Sequence, residues 1–240
     1  EIDALVREQV ATQDALYTLD EDRLAQLEPD LIVTQALCDV CAVAEAEVAA
    51  AACQLADAPP VLNLEPMTLA DVLAAVRVVG DAAGVDAEPI VAAMEARIEA
   101  VRSAVEGRPR PRVALLEWLD PPFSGGHWNP ELVQLAGGTE VLGRAGEASR
   151  TLSWSEVVAS EPDLIVVACC GFETARALED VGVFDDVDGW ASVPAAREGR
   201  VAVVDGSGLF ARPGPRLVEA TELLGHRIHP EVVPAPAGAE

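Results

Sequence analysis

Glu28-Pro29-Asp30-Leu31-Ile32-Val33 recurs as Glu161-Pro162-Asp163-Leu164-Ile165-Val166, and a repeat of this kind points to a duplicated structural unit. Each copy follows a short stretch of helical character, Asp22 to Leu27 in the first and Ser155 to Ser160 in the second. Pro-Asp then breaks the helix, because proline has no N–H to donate and its ring crowds the preceding turn. The β-branched run after it reads as a buried parallel strand. Each strand leads into a Cys-bearing loop and a further helix, so two similar α/β lobes are expected.

Working outward from the repeat, Leu69 to Val79 and Ile90 to Val105 carry apolar residues at helical spacing, with a break at Gly84-Val85-Asp86. Met94, Ile98, Val101 and Val105 form the apolar stripe of the second stretch. Gly107-Arg108-Pro109-Arg110-Pro111 closes the region as a linker. In the second lobe, Arg112 to Trp118 reads as a strand, Pro130 to Ala136 as a helix, Asp163 to Ala168 as the repeated strand, Arg200 to Val204 as a further strand and Pro215 to His226 as the closing helix. The second lobe thus opens with a strand ahead of its repeat copy. The first has none within the sequence, so a strand–helix segment is expected upstream of Glu1. The expected division is a partial N-terminal lobe over 1–66, a helical spine over 67–107, a C-terminal lobe over 108–230 and a disordered Pro- and Ala-rich tail over 231–240.

Half of the residues are hydrophobic, as in an ordinary globular protein. No apolar run reaches the ~18 residues that span a bilayer, and no signal-peptide pattern opens the chain. The formal net charge is −25, and all 16 basic residues are arginine. Such acidity argues against nucleic acid, whose phosphates need a basic face, and against anionic membrane surfaces. Five cysteines make no disulfide framework in a chain this long. Cys53, in an Ala-rich helical run, reads as a small core residue, and His226 and His229, near the C-terminus, as solvent-facing.

In open parallel sheets, ligands collect beyond the carboxyl ends of the strands. The chain has only four Trp, one Tyr and four Phe, yet Trp118, Phe123, Trp128, Phe172 and Phe210 all fall at or just after expected strand ends. Large rigid rings cover an apolar ligand at small entropic cost; singly, each also suits a core or loop anchor. The loop from Trp118 to Pro130 combines two prolines, two glycines and His127, which reads either as a ligand contact or as a cap on the following helix. The loop from Asp205 to Arg216 carries Arg212, suited to a ligand carboxylate or phosphate or to an internal salt bridge. Cys38 and Cys41 form a C-x-x-C, and Cys169-Cys170 follows the matching strand in the other lobe. These thiols read as ligand-lining or structural, with a metal or redox site as the alternative. No Ser-His-Asp set, paired catalytic carboxylates or phosphate loop is present, so no enzyme is expected.

Pro29-Asp30-Leu31-Ile32-Val33-Thr34-Gln35 with Cys38 and Cys41, Trp118 through Pro130, and Asp205 through Arg216 together resemble the metal-chelate and vitamin B12 class of ABC-transporter substrate-binding proteins, within the periplasmic binding protein type 2 family, and more narrowly its cobalamin-binding subgroup. The resemblance runs from about Glu1 to Pro230. It implies a class III periplasmic-binding-protein-like fold: two αβα lobes with parallel-type sheets on a long helical spine, the first lobe incomplete. It implies a monomer that captures a bulky ligand between the lobes for ABC permease subunits. The ligand is expected to be cobalamin or another corrinoid, with a ferric siderophore or haem as alternative and a cytoplasmic corrinoid-binding or thiol/metal-site protein as a further one. Ligand-binding residues are then Gln35, Cys38, Cys41, Trp118, Phe123, His127, Trp128, Cys170, Phe172, Phe210 and Arg212, with no cofactor and no bound metal. In that class each lobe offers a docking carboxylate. Ser153-Trp154-Ser155-Glu156-Val157 is similar to the C-lobe docking motif and makes Glu156 the candidate, with Glu45 or Glu47 in the N-lobe. The expected location is extracytoplasmic, with the cytoplasm as alternative.

Overall fold

The computed structural model describes residues 18–35 and 43–236. The chain divides into two compact units: unit 1 is Glu1–Pro66 with Arg77–Ala87, and unit 2 is Met67–Val76 with Glu88–Glu240. Both are α/β, as the repeat implies.

In unit 1, helix α1 (Glu21–Leu27) starts where the Asp20 side chain accepts from the Arg23 N–H at 2.9 Å, and it ends at Glu28, whose φ of 45° is left-handed. Strand β1 (Ile32–Thr34) then pairs in parallel with β2 (Val61–Asn63). Between them in sequence, helix α2 (Glu45–Gln54) buries Val48, Ala51 and Ala52. Those three lie one helical turn apart on one face. Cys53 is rotated off that face and is exposed, not the core residue expected.

The segment expected as a separate spine, 67–107, is divided between the units. Helix α3 (Leu69–Ala83) contributes its first half to unit 2 and its second half to unit 1. Helix α4 (Glu88–Ala104) belongs wholly to unit 2 and buries Val91, Met94, Ile98 and Val101, the stripe read from the sequence.

Unit 2 is built on a five-stranded sheet in the order β4-β3-β6-β7, with β5 also on β3. The strands are β3 (Arg112–Leu119), β4 (Pro122–Ser124), β5 (Thr139–Glu140), β6 (Leu164–Val167) and β7 (Val201–Val203). Only β4 runs antiparallel to its partner. β6, the second repeat copy, is buried at all four positions. Each such side chain contributes about 1.5–3 kcal/mol over its exposed state. Its copy also begins at a left-handed glutamate, Glu161 at φ 42°, so both repeats leave their helix by the same turn.

Side chains alternate across β3 and β6, as strand geometry requires. Ala114, Leu116, Ile165, Val167 and Cys169 pack to one side, with Val157 of helix α6 (Trp154–Ala159), Ala177 of α7 (Thr174–Ala177) and Ala195 of α8 (Pro194–Arg197). Across the sheet lie α5 (Asn129–Leu135) and α9 (Leu217–Ile228): a Cβ on Gly138 would meet Val113, Val133 and Ile228 together. The layers are therefore αβα. No helix among the described residues is long and apolar enough to cross a membrane.

The chain beyond α9 corrects two expectations. Val233, expected in a disordered tail, is buried against Val101 and Val105, and its carbonyl lies 2.9 Å from His226 Nδ1. Residues 237–240 lie outside the described residues. His229 is buried rather than solvent-facing: its ring fits over Gly137, where any side chain would collide with it, and its Nε2 is 3.4 Å from the Gly137 carbonyl.

Candidate functional site

In unit 2 the loops after β3, β6 and β7 share the carboxyl edge of one sheet. One residue before the end of β3 stands Trp118, whose cross-strand partner on β4 is Phe123. On its other side the Trp118 ring lies 5.0 Å from Phe172, tilted by 47°, and its indole N–H donates to the Asp120 carbonyl at 3.1 Å. Phe172 follows β6 and is covered from behind by Arg176, whose guanidinium carbon stands 4.3 Å from the ring centroid. Asp180 holds that guanidinium at 2.9 Å. All three rings remain half-buried. The result is an aromatic shelf, fixed by charge and by strand pairing, with part of its ring surface open to solvent; one such ring buries about 150–250 Å² when covered.

The expected aromatic set divides here. Trp128 and Phe210 are interior residues, at 3% and 0% exposure, and the Trp128 indole donates to the Phe210 carbonyl at 2.9 Å. They tie the β3 loop to the β7 loop from within instead of lining a surface. A tryptophan N–H needs an acceptor once buried, and this bond supplies it. The two loops are joined to the β6 loop as well, since the Ser207 N–H donates to the Phe172 carbonyl at 3.0 Å. Residues Gly206–Phe210 make a π-helical turn, its start capped by the Asp205 side chain accepting from Gly208 at 2.7 Å. Gly206 is required there, because a Cβ would run into the backbone of Ala168 and Cys169.

His127 is half-buried with φ 53°. Its backbone N–H donates to the Glu147 carbonyl at 2.6 Å and its own carbonyl accepts from the Gly146 N–H at 3.0 Å. It does not cap α5, whose N-cap is Trp128 and has no side-chain cap bond. Arg212 is exposed just after the π turn, and no ion pair engages it among the described residues, whereas Arg216 pairs with Glu219. The adjacent thiols face opposite ways. Cys169 is buried in the core, where desolvation pushes its thiol up to about 11, and Cys170 is exposed with its N–H on the Glu117 carbonyl at 2.9 Å. No cluster of three metal-ligating side chains occurs among the described residues.

In unit 1, Gln35 sits half-buried directly after β1. Cys38 and Cys41 lie outside the described residues. Glu45 and Glu47 open α2, with Glu47 accepting from the Leu19 N–H at 3.3 Å and Glu45 exposed. In unit 2, Glu156 closes a capping box with Ser153 at the start of α6 and pairs with Arg150 at 2.9 Å while staying exposed. The Ser153 N–H and the Arg150 guanidinium hold its carboxyl down at about 2.

Several residues escaped sequence reading. Trp154, Phe184 and Trp190 form a cluster beneath α6, with Phe184 and Trp190 stacked at 4.3 Å and Trp154 edge-on to both. Nothing in their spacing announces it. Arg176 could have been found, since it stands four residues after Phe172 across a helix start. Strand β4 is too short, at three residues, to leave a period.

The periplasmic binding protein family profile matches residues 3–207. A periplasmic binding protein from Veillonella parvula DSM 2008 superposes with a TM-score of 0.71 at 21% identity, covering 87% of this chain and 73% of that one. An ABC transporter substrate-binding protein from Listeria monocytogenes EGD-e gives 0.70 at 18% identity, covering 88% and 81%. The periplasmic heme-binding protein RhuT from Roseiflexus sp. RS-1, in apo form, gives 0.69 at 24% identity, covering 89% and 80%. At these identities the likeness is one of fold. No curated protein sequence matches the chain. The family match spans most of the sequence and agrees with the duplicated α/β architecture: the protein belongs to the periplasmic binding protein family.

Proposed function

We propose that this chain is the solute-binding component of an ABC importer, working outside the cytoplasm as a monomer. It captures a bulky, partly apolar metal chelate or corrinoid, with cobalamin the first choice. The observation that carries this reading is the Trp118–Phe172 pair, two half-buried rings 5.0 Å apart at a strand carboxyl edge in a chain with few aromatics. Phe123, His127, Cys170 and Arg212 are the further contacts proposed in unit 2. Gln35, Cys38 and Cys41 are those proposed in unit 1. Trp128 and Phe210 serve by bracing the loops from inside. Glu156, with Glu45 or Glu47, is proposed to dock on the permease; the capping box and the aromatic cluster under α6 support this by holding Glu156 in one place.

Haem is the second reading, supported by the heme-binding protein among the similar folds. The thiol-site reading has less support, because Cys169 is buried away from Cys170.

The test is equilibrium titration with cyanocobalamin, hemin and a ferric hydroxamate siderophore, read by tryptophan fluorescence and by co-elution of the chromophore. A submicromolar one-to-one isotherm with one of them is expected, weakened by about 1–2 kcal/mol in Trp118→Ala. Glu156→Arg should bind as before yet support no uptake. Absence of binding to all three would overturn the reading.

A further inference from the structure

We propose that Glu117 is the polar anchor of the unit 2 ligand face, a carboxylate positioned to accept a hydrogen bond from a donor group on the ligand. The inference rests on the binding-protein reading above. Three observations carry it. First, Glu117 is the extra residue of a β-bulge: Leu116 pairs with Ser124 and Trp118 with Phe123, leaving Glu117 unmatched on β4. On the opposite edge of β3, two consecutive carbonyls, those of Leu116 and Glu117, both accept from the β6 side, from Ala168 and Cys170 at 2.9 Å each. A bulge of this kind turns one side chain away from the course the pleat would give it. Here the residue so turned is the one that immediately precedes Trp118 of the shelf in sequence.

Second, the carboxylate is held by one oxygen only. Glu117 Oε1 accepts from the Gly126 N–H at 2.9 Å and from the Asn129 side-chain amide at 2.7 Å. Oε2 makes no hydrogen bond among the described residues, although the side chain is half-buried. Tying Gly126 and Asn129 together needs a single acceptor; the second oxygen is surplus to that task.

Third, Asn129 is 3% exposed, and its Oδ1 is buried without a partner. A buried unmatched acceptor destabilises a fold. The amide is nonetheless turned so that its N–H group faces Glu117, and what this orientation secures is the placement of the carboxylate. Among the described residues the groups left unmatched here, Glu117 Oε2 and Asn129 Oδ1, are both acceptors, so this point of the face calls for a donor. A ligand bearing amide, hydroxyl or ammonium groups supplies one; a ligand whose polar groups are carboxylates does not, and it meets like charge.

The test compares cyanocobalamin, whose side-chain amides are donors, with its side-chain carboxylic acids obtained by mild hydrolysis, and with hemin, whose polar groups are two carboxylates. Wild-type protein is expected to prefer the amide form over the acids at least tenfold and to bind hemin more weakly than cyanocobalamin. Glu117→Gln keeps an oxygen for Gly126 and Asn129 but puts an NH2 in place of the uncommitted oxygen. It should fold with an unchanged melting temperature, lose about tenfold or more in cyanocobalamin affinity, and lose the preference for amide over acid. Asn129→Ala removes the orienting bond together with the unmatched oxygen. It should lower affinity without lowering the melting temperature, a combination that a purely structural role would not produce. Unchanged affinity and preference in both variants would overturn the anchor while leaving the binding reading intact, as would tight wild-type binding of hemin with none of cyanocobalamin. Failure of wild-type protein to bind any probe would overturn the binding reading and the anchor with it.

Discussion

Lowering the pH from 8 to 5 should stabilise unit 2 through one group, Glu140. This residue ends β5, and its carboxylate takes the place of a missing strand: Oε2 accepts from the Leu115 N–H of β3 at 3.2 Å, and Oε1 accepts from Leu142 and Gly143 at 2.9 and 3.0 Å. Desolvation pushes its pKa up from 4.5 to about 7, outweighing those N–H donors, which act in the opposite sense. The folded protein therefore holds a proton between about pH 4.5 and 7 that the unfolded chain has already released. The contribution is present in full below the unfolded value and is lost as pH rises through the folded one. At about 1.4 kcal/mol per pKa unit, the swing is at most about 3 kcal/mol. The residue keeps some exposure, so solvent screening trims that figure.

Glu140→Gln isolates the effect from the other carboxylates of a chain with a net charge of −25. Its amide oxygen serves one side only, so at least one of the three N–H donors faces an NH2 group. The variant should lose about 1–3 kcal/mol at any pH for that reason, and it has no proton to take up. The assay is urea unfolding at pH 5, 6.5 and 8, followed by tryptophan fluorescence. All four tryptophans, at positions 118, 128, 154 and 190, lie in unit 2, so the signal reports on the unit in question. The stability gap between wild type and variant should widen as pH falls. A gap that stays constant, or that narrows on acidification, would refute the reasoning, since it would mean that the N–H donors cancel or outweigh desolvation and the carboxylate is charged in the folded state.

Cys170 should react with a thiol reagent in the native protein while Cys169 reacts only after unfolding, because one is exposed and the other buried with its thiol raised to about 11; peptide mapping of the alkylated protein reads the two separately. Gly206→Ala should destabilise unit 2 by about 1–3 kcal/mol, since its Cβ meets backbone atoms of Ala168 and Cys169 that have no rotamer to change; urea unfolding measures it. Val233→Ala should cost about 1–2 kcal/mol through the lost contact with Val101 and Val105, whereas a dangling tail would leave stability unchanged in the same measurement.

The strands were legible because the repeat is local chemistry: Pro-Asp ends a helix and β-branched residues extend the chain, whatever surrounds them. What lies over the strand was not legible. The same residue types give β6 four buried positions, whereas Val33 in β1 is 49% exposed, because burial depends on the neighbouring layers more than on intrinsic preference. Expectations failed in the same way wherever a distant partner decided the outcome. Trp128 turns inward to an acceptor 82 residues away, and His229 is buried where a glycine 92 residues away leaves room for its ring. Cys53 failed more locally, on a rotation of one position around a helix.

The edge of β3 explains why the candidate site lies where it does. Along that edge the partner changes from parallel β5 at Arg112 and Val113, to the Glu140 carboxylate at the Leu115 N–H, to antiparallel β4 from Leu116 onward. A parallel and an antiparallel strand cannot share one edge without a junction, because their hydrogen-bond spacings differ. Glu140 fills the junction at one end, and the bulge at Glu117 absorbs the mismatch at the other. The short antiparallel return brings Phe123 beside Trp118, and the bulge turns Glu117, the residue before Trp118, to Gly126 and Asn129. Shelf and anchor are thus consequences of one change in strand pairing. A variant that repaired the bulge by deleting Glu117 would remove the carboxylate and shift the register that places Trp118 against Phe172, so affinity should fall further than in Glu117→Gln.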